Sequence, residues 1–179
     1  NKEILNVHLA HLIIGKVGGR LALCELKKYI INKKMTNYFD MKEKKIFISR
    51  YKNHPAADDS IKFKKIINYY GKITTTKKIL QYLLKKFKIN YKYLDIYLSK
   101  KQIKKMHDMG MIIGCHSNSH IALSRLNYKS QYKEINTGKK FIEKIIKTNC
   151  DHFCYPFGRK SSYNNNTLRI LKKLNFNLF

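Results

Sequence analysis

The sequence predicts an α/β fold, with parallel strands joined by helical crossovers in its second half and a mainly helical first half. Three observations carry this. Two short apolar runs, Met111–Cys115 and Asp151–Tyr155, have the length and character of buried strands. Each run leads into a polar loop and then a helical segment, and strand, loop, helix in repetition places consecutive strands parallel. With 179 residues and 44% apolar content, the chain is sized for one domain with a moderate core, and it is too apolar to be disordered.

The elements follow in order. Glu3 to Ile14 reads as a helix through Ile4, Val7, Leu12 and Ile13 or Ile14, and the glycines from Gly15 to Gly19 break it. Leu21 to Ile31 is a second helix. Residues 32–55 are polar and irregular, with one apolar triplet at Ile46-Phe47-Ile48. Asp58, Asp59 or Ser60 caps a helix that Gly71 ends, and Thr75 to Phe87 forms another with Ile79, Tyr82, Leu83 and Phe87 on one face. Ser99 caps Lys100–Met109, and Gly110 is placed to end it. After the first strand, residues 116–125 are loop and Tyr128–Lys147 is a long amphipathic helix. After the second, residues 156–165 are loop and Asn166–Leu174 is a helix, with a further strand starting at Phe176. The missing initial Met and the strand-like ending at Phe179 lead us to expect a piece of a longer protein.

The formal net charge of +27 raises nucleic-acid binding as a class. The lysines are spread along the whole chain and Arg is scarce, which favours a solvated basic surface over a dedicated nucleic-acid site. The four cysteines, Cys24, Cys115, Cys150 and Cys154, have no zinc-ribbon spacing. Cys115 and Cys154 lie in apolar runs and are expected to be buried, and free thiols fit a cytoplasmic location. No apolar run approaches the roughly 20 residues that cross a bilayer, so no transmembrane segment is expected.

Chemistry concentrates in two stretches, Gly114-Cys115-His116-Ser117-Asn118-Ser119-His120 and Tyr155-Pro156-Phe157-Gly158. Both follow strand ends, and sites in parallel α/β folds lie at the C-terminal ends of strands. Two neutral imidazoles in one loop can share a divalent ion, and Ser117 can hold the loop's shape by hydrogen bonding its backbone. A solvated loop is the bland alternative. His8 and His11 share a helix face, yet a helix histidine is more often a packing residue than a ligand. His107 reads as solvated and His152 as a partner of nearby backbone. Tyr69, Tyr70, Tyr82, Tyr91, Tyr93 and Tyr97 read mostly as packing residues with a wet hydroxyl.

The segment from Leu98 to His120, LSKKQIKKMHDMGMIIGCHSNSH, resembles the second motif region of the NodB-homology polysaccharide deacetylases, carbohydrate esterase family four. Leu123-Ser124-Arg125-Leu126, a helix carrying Glu134-Ile135, and Phe153-Cys154-Tyr155-Pro156-Phe157-Gly158 continue that resemblance in order. It covers residues 98–179, while residues 1–97 are similar only to a helical insertion or cap found in some bacterial members. The resemblance implies a partial deformed (β/α) barrel and a hydrolase that removes N-acetyl, or O-acetyl, groups from a polysaccharide or sugar precursor. It implies a divalent metal, zinc first among candidates, held by His116, His120 and an Asp. It also implies an oxyanion donor at the Phe157 N–H and a substrate groove shaped by Tyr155, Pro156 and Gly158.

The departures define what the chain lacks. The family's Asp-Asp motif is absent, and Asp58-Asp59 follows His54-Pro55-Ala56-Ala57 in place of an apolar strand, so it reads as helix capping. Cys154 stands where many members have Arg. The catalytic base Asp and acid His are expected outside this chain, so the chain alone is expected to be inactive. Two other classes remain open: a noncatalytic glycan-binding relative and a basic nucleic-acid-binding protein.

Overall fold

The computed structural model describes residues 4–35, 38, 58–91 and 96–177. Within them the chain forms two compact units, Asn1–Tyr93 and Leu94–Phe179. Ile46-Phe47-Ile48 lies outside the described residues.

The first unit is helical. Helix α1 spans Asn6–Asn32 and is bent once, at Gly18, whose backbone turns to φ 75° and ψ 162°. The predicted break across Gly15–Gly19 therefore narrows to one residue. Gly18 has no Cβ to resist that conformation, and the helix resumes at once beyond it. Gly19 has a different role. A Cβ there would come 2.4 Å from the Ser60 nitrogen, so its absence lets α1 cross close to the next helix. That helix, α2, runs Asp58–Lys65 and continues as a wider turn over Ile66–Tyr70, which Gly71 closes by donating to the Ile66 carbonyl at 2.7 Å. Asp59 stands in its first turn, where a carboxylate complements the helix dipole, and pairs with Lys62 at 3.9 Å.

Helix α3 spans Ile73–Lys86 and buries Thr76, Ile79, Leu80, Leu83 and Leu84. This is the i, i+3, i+4, i+7, i+8 stripe of a helix with one face in a core. Tyr82, expected on that face, is half-exposed and lies against Tyr29, with ring centroids 4.4 Å apart. The stripe packs with Leu9, Ile13, Ala22, Leu26, Phe63 and Ile67. Each fully buried side chain of this size contributes about 1.5–3 kcal/mol. One acid enters this core: Glu25 accepts from Lys28 at 3.1 Å and from Lys86. Those hydrogen bonds, Lys86 first and Lys28 second, hold its carboxyl below the usual range. Contrary to the expectation from residue runs, α1 is long and apolar enough to cross a membrane by length and composition. The same helix supplies much of this core.

The second unit opens with helix α4, Lys100–Asp108. Ser99 and Gln102 form a reciprocal cap, with the Gln102 N–H donating to Ser99 Oγ at 3.2 Å and the Ser99 N–H to Gln102 Oε1 at 2.7 Å. Gly110 ends the segment at φ 88°. Helix α5, Tyr128–Ile146, is capped by Asn127, which accepts the Ser130 N–H at 2.9 Å. Helix α6, Asn165–Lys173, is capped reciprocally by Asn164 and Thr167. Gln131 ties α5 to α6: Thr167 Oγ1 donates to Gln131 Oε1 at 2.6 Å, in a fully buried pair.

The predicted strands are realised only in part. Between the two predicted strands the described pairing is an isolated parallel bridge, Cys115 with Phe153. The Cys115 N–H donates to the His152 carbonyl at 2.8 Å, and the Cys154 N–H to the Cys115 carbonyl at 2.9 Å. The Asn177 N–H reaches the Asp151 carbonyl at 2.9 Å, so the segment from Phe176 lies beside the same chain stretch. The parallel direction agrees with the sequence expectation, but no extended barrel strand is present among the described residues. Met111 and Ile112, expected in a buried strand, are 48% and 72% exposed. Apolar character predicted burial on both faces, yet the run meets the neighbouring stretch only from Ile113 onward, where the Ile113 carbonyl accepts from Cys150 Sγ at 3.6 Å, Gly114 lies against His152 and Cys115 forms the bridge. The core beneath is formed by Cys115, Leu123, Ile135, Phe153, Ile170 and Phe176, among others.

Candidate functional site

The bridge at Cys115 and Phe153 sets two loops side by side. One begins at His116 and the other at Cys154. The Nδ1 atom of His116 lies 2.8 Å from the Cys154 carbonyl oxygen. A carbonyl only accepts, so Nδ1 carries the proton and Nε2 is left as the electron-pair donor. This is the arrangement that orients metal-ligating histidines. The rings of His116 and His120 approach edge to face, with centroids 4.9 Å apart. His120 in turn meets the Phe157 ring at 4.8 Å, so the two sequence motifs form one cluster.

The loop between the histidines is held in an uncommon backbone shape. Ser117, His120 and Phe157 all have positive φ, at 59°, 55° and 68°. Side chains resist that region, so the surroundings must supply the compensation. Ser117 supplies one part, its Oγ accepting the His120 N–H at 3.2 Å. Glu134 on α5 supplies more. Its carboxylate accepts the Ser119 N–H at 2.9 Å, the Asn118 N–H at 3.2 Å and the Ser119 hydroxyl at 2.7 Å. Gly138, one turn further along α5, lets the helix lie against the loop. A Cβ there would come 2.8 Å from Cys115 Sγ and 2.9 Å from the Ser117 carbonyl oxygen.

Glu134 and Gly138 were not singled out as site residues by sequence reasoning. The signal was present: Glu134 is the one acid in the first fourteen residues of a lysine-rich helix, four residues before a mid-helix glycine that costs about 1 kcal/mol relative to alanine.

The second loop turns tightly, the Gly158 N–H donating to the Tyr155 carbonyl at 2.9 Å, and Pro156 is buried beneath it. Tyr155 stacks on Tyr163 at 4.1 Å, a partner that sequence reasoning did not identify. Burial, and secondarily Tyr163, pushes the Tyr155 hydroxyl up to about 12, so it stays protonated at ordinary pH. The cysteine expectation is corrected: Cys115 is buried as expected, but Cys154 is exposed and Cys150 is the other buried thiol. Cys154 directs its backbone into the bridge and its carbonyl to His116, which leaves the side chain outside. Burial pushes the Cys115 thiol up to about 12 and raises Cys150 too, so neither offers a ready thiolate.

The two imidazoles lie in one cluster, with a fixed tautomer at one. Among the described residues, no group of three His, Cys, Asp or Glu side chains completes a coordination set. Among the described residues, the other histidines show no comparable pairing of fixed rings. His8 and His11 share α1, and His11 is lowered by desolvation, then by Lys64 and His8. His107 lies 3.4 Å from the Thr148 hydroxyl, and the His152 carbonyl serves the bridge.

The family model for polysaccharide deacetylase matches residues 70–179. A candidate polysaccharide deacetylase of Bacillus subtilis (strain 168), YxkH, is 28% identical over 82 residues, covering 46% of this chain and 28% of its own length. The chain thus spans less than a third of that curated relative. Among solved structures, the Streptococcus pyogenes deacetylase PplD in complex with acetate matches 57% of this chain and 48% of its own, at 26% identity and a TM-score of 0.43.

Proposed function

This chain belongs to the polysaccharide deacetylase family, and from that premise we propose that it carries the metal-binding half of a hydrolase that removes acetyl groups from a glycan or sugar precursor. The observation that carries the proposal is the His116–His120 ring pair, with His116 fixed through Nδ1 to the Cys154 carbonyl. In this reading both side chains hold one divalent ion, zinc first among candidates. When bound, that ion supplies Lewis acidity for the acetyl carbonyl and lowers the pKa of the attacking water.

The remaining work falls to this chain's own groups. Glu134 and Ser117 keep the loop's shape so that the two rings stay in register. The backbone N–H of Phe157, at the positive-φ turn beside His120, is the donor for the developing oxyanion. Tyr155, Pro156 and Gly158 shape the groove wall, and the stack of Tyr163 on Tyr155 stiffens it. The carboxylate that completes the metal set, the base Asp and the acid His belong to further residues of a longer protein. The chain alone is then inactive. Functionally, residues 98–179 form the barrel part and 1–97 the cap. All four cysteines are free, which supports a reducing, cytoplasmic setting.

The test is metal-dependent acetate release by the full-length protein from an N-acetylated oligosaccharide. We expect His116→Ala with His120→Ala to abolish it, and activity retained in that double variant would refute the assignment. The absence of a third ligand among the described residues favours one other reading, a noncatalytic glycan-binding relative. An Asp-Asp motif after an apolar strand elsewhere in the full-length protein decides for the enzyme.

A further inference from the structure

Helix α4 buries none of its residues. Between it and the second half of α5 lies an open groove of about 550 Å³. Its apolar lining is Met109, Phe141 and Ile145, and Met109 and Phe141 stand out to solvent, 67% and 48% exposed. Its rim is cationic, with Lys100, Lys101, Lys104, Lys105, Lys144 and Lys147 around it. Asp108 is the single acid in the lining, and it is paired with Lys104.

We propose that this groove docks the surface of an anionic phospholipid bilayer. The occupant has to meet both exposed apolar side chains and the dense lysines around them. Lysines suit such a boundary, because their methylene stems cover apolar surface while their ammonium groups reach out to phosphate. Met109 and Phe141 then enter the acyl boundary, as the apolar face of an interfacial helix does. A purely anionic polymer would satisfy the lysines and leave Met109 and Phe141 wet. A stacked base or sugar ring is disfavoured too, because the Lys100 ammonium already sits 5.8 Å over the Phe141 ring. The sign and density of the rim exclude neutral lipid as a sufficient partner.

The test is vesicle co-sedimentation of the whole chain, with phosphatidylcholine vesicles compared with the same vesicles containing phosphatidylglycerol. The neutral vesicles report any insertion of α1, and the difference reports charge-dependent binding, which the variants assign to the groove or to the lysine surface at large. Replacing Lys100, Lys101, Lys105 and Lys144 by Gln is expected to weaken binding to the anionic vesicles by roughly a hundredfold. Met109→Ser with Phe141→Ser, which leaves charge unchanged, is expected to weaken it about tenfold. Lys129→Gln with Lys133→Gln, on exposed positions elsewhere on α5, is the control and should change it little. Circular dichroism confirms that each variant folds. The proposal is overturned by no preference for anionic vesicles or by equal loss in the control. It is also overturned by indifference to the Met109 and Phe141 changes, whether binding is to vesicles or to polyphosphate, since only a diffuse lysine surface or a polymer site then remains.

Discussion

The two units are built from different interactions. In the first, the described helices α1, α2 and α3 close over a mostly aliphatic core, with few long-range polar links such as the ion pair of Lys86 with Glu25 and the buried Tyr38–Thr76 hydroxyl pair. In the second, the core is smaller and the connections are polar. Glu134 holds two backbone amides and a hydroxyl, Gln131 and Thr167 bond in the interior, and His116 bonds to the Cys154 carbonyl. A hydrophobic interface tolerates small displacements, whereas hydrogen-bonded loops fix particular atoms in particular places. The candidate chemistry lies where the fold is held that way, and the strained backbone of Ser117, His120 and Phe157 lies there too.

Truncation in the first core should give the largest effect and leave the site alone. Leu83 and Ile79 are fully buried there, so Leu83→Ala or Ile79→Ala is expected to cost about 2–5 kcal/mol in urea unfolding. Metal affinity measured on the folded fraction should not change. A matching loss of metal affinity would dissolve the contrast between the units.

Gly138→Ala sharpens the contrast from the other side. On an open helix the change would stabilise by about 1 kcal/mol. Here the added methyl meets Cys115 Sγ and the Ser117 carbonyl, so we expect a net loss of about 1–3 kcal/mol. We also expect the amide signals of residues 117–120 to shift. Stabilisation without such shifts would show that the helix does not support the loop as described.

Glu134→Ala removes the acceptor for three donors and should weaken zinc or cobalt binding by about 10–100-fold, the usual cost of losing an orienting partner. Faster hydrogen exchange at the Asn118 and Ser119 amides should accompany it. Glu134→Gln keeps an acceptor oxygen and should recover part of both effects. Equal behaviour of the two variants would mean the carboxylate acts on the fold alone.

The smallest effect concerns pH. Glu25 has its pKa lowered in the folded state by Lys86 and Lys28. Its contribution to stability is therefore present above the ordinary carboxylate value and is lost as pH falls through the lowered one. Glu25→Gln should flatten that acid limb slightly in the first unit. An unchanged acid limb would show that the ion pair does not contribute.

Helix positions were legible because apolar spacing and caps are local signals. Ser99 as a cap follows from residue type, and Ile79 and Leu83 from spacing, whereas Tyr82, placed with them by the same spacing, is half-exposed. The pairing of the two motifs was legible too, because both follow apolar runs. Strand extent was not: the apolar character of Met111 and Ile112 says nothing about which neighbours lie beside them. Side-chain direction was equally hidden, so Cys154 was expected inside and Cys150 was not. Glu134 escaped because its partners lie about fifteen residues back, on a loop whose course no local rule gives.

The direct test of the histidine pair is a long-range proton–nitrogen NMR spectrum of the imidazoles, recorded on this chain while zinc is added. We predict that His116 is the Nδ1–H tautomer before addition, and that His116 and His120 shift together, weakly but saturably, while the other imidazoles stay in place. Zinc shifts centred on His8 and His11, or none at His116 and His120 up to millimolar metal, would contradict a metal site at these two residues.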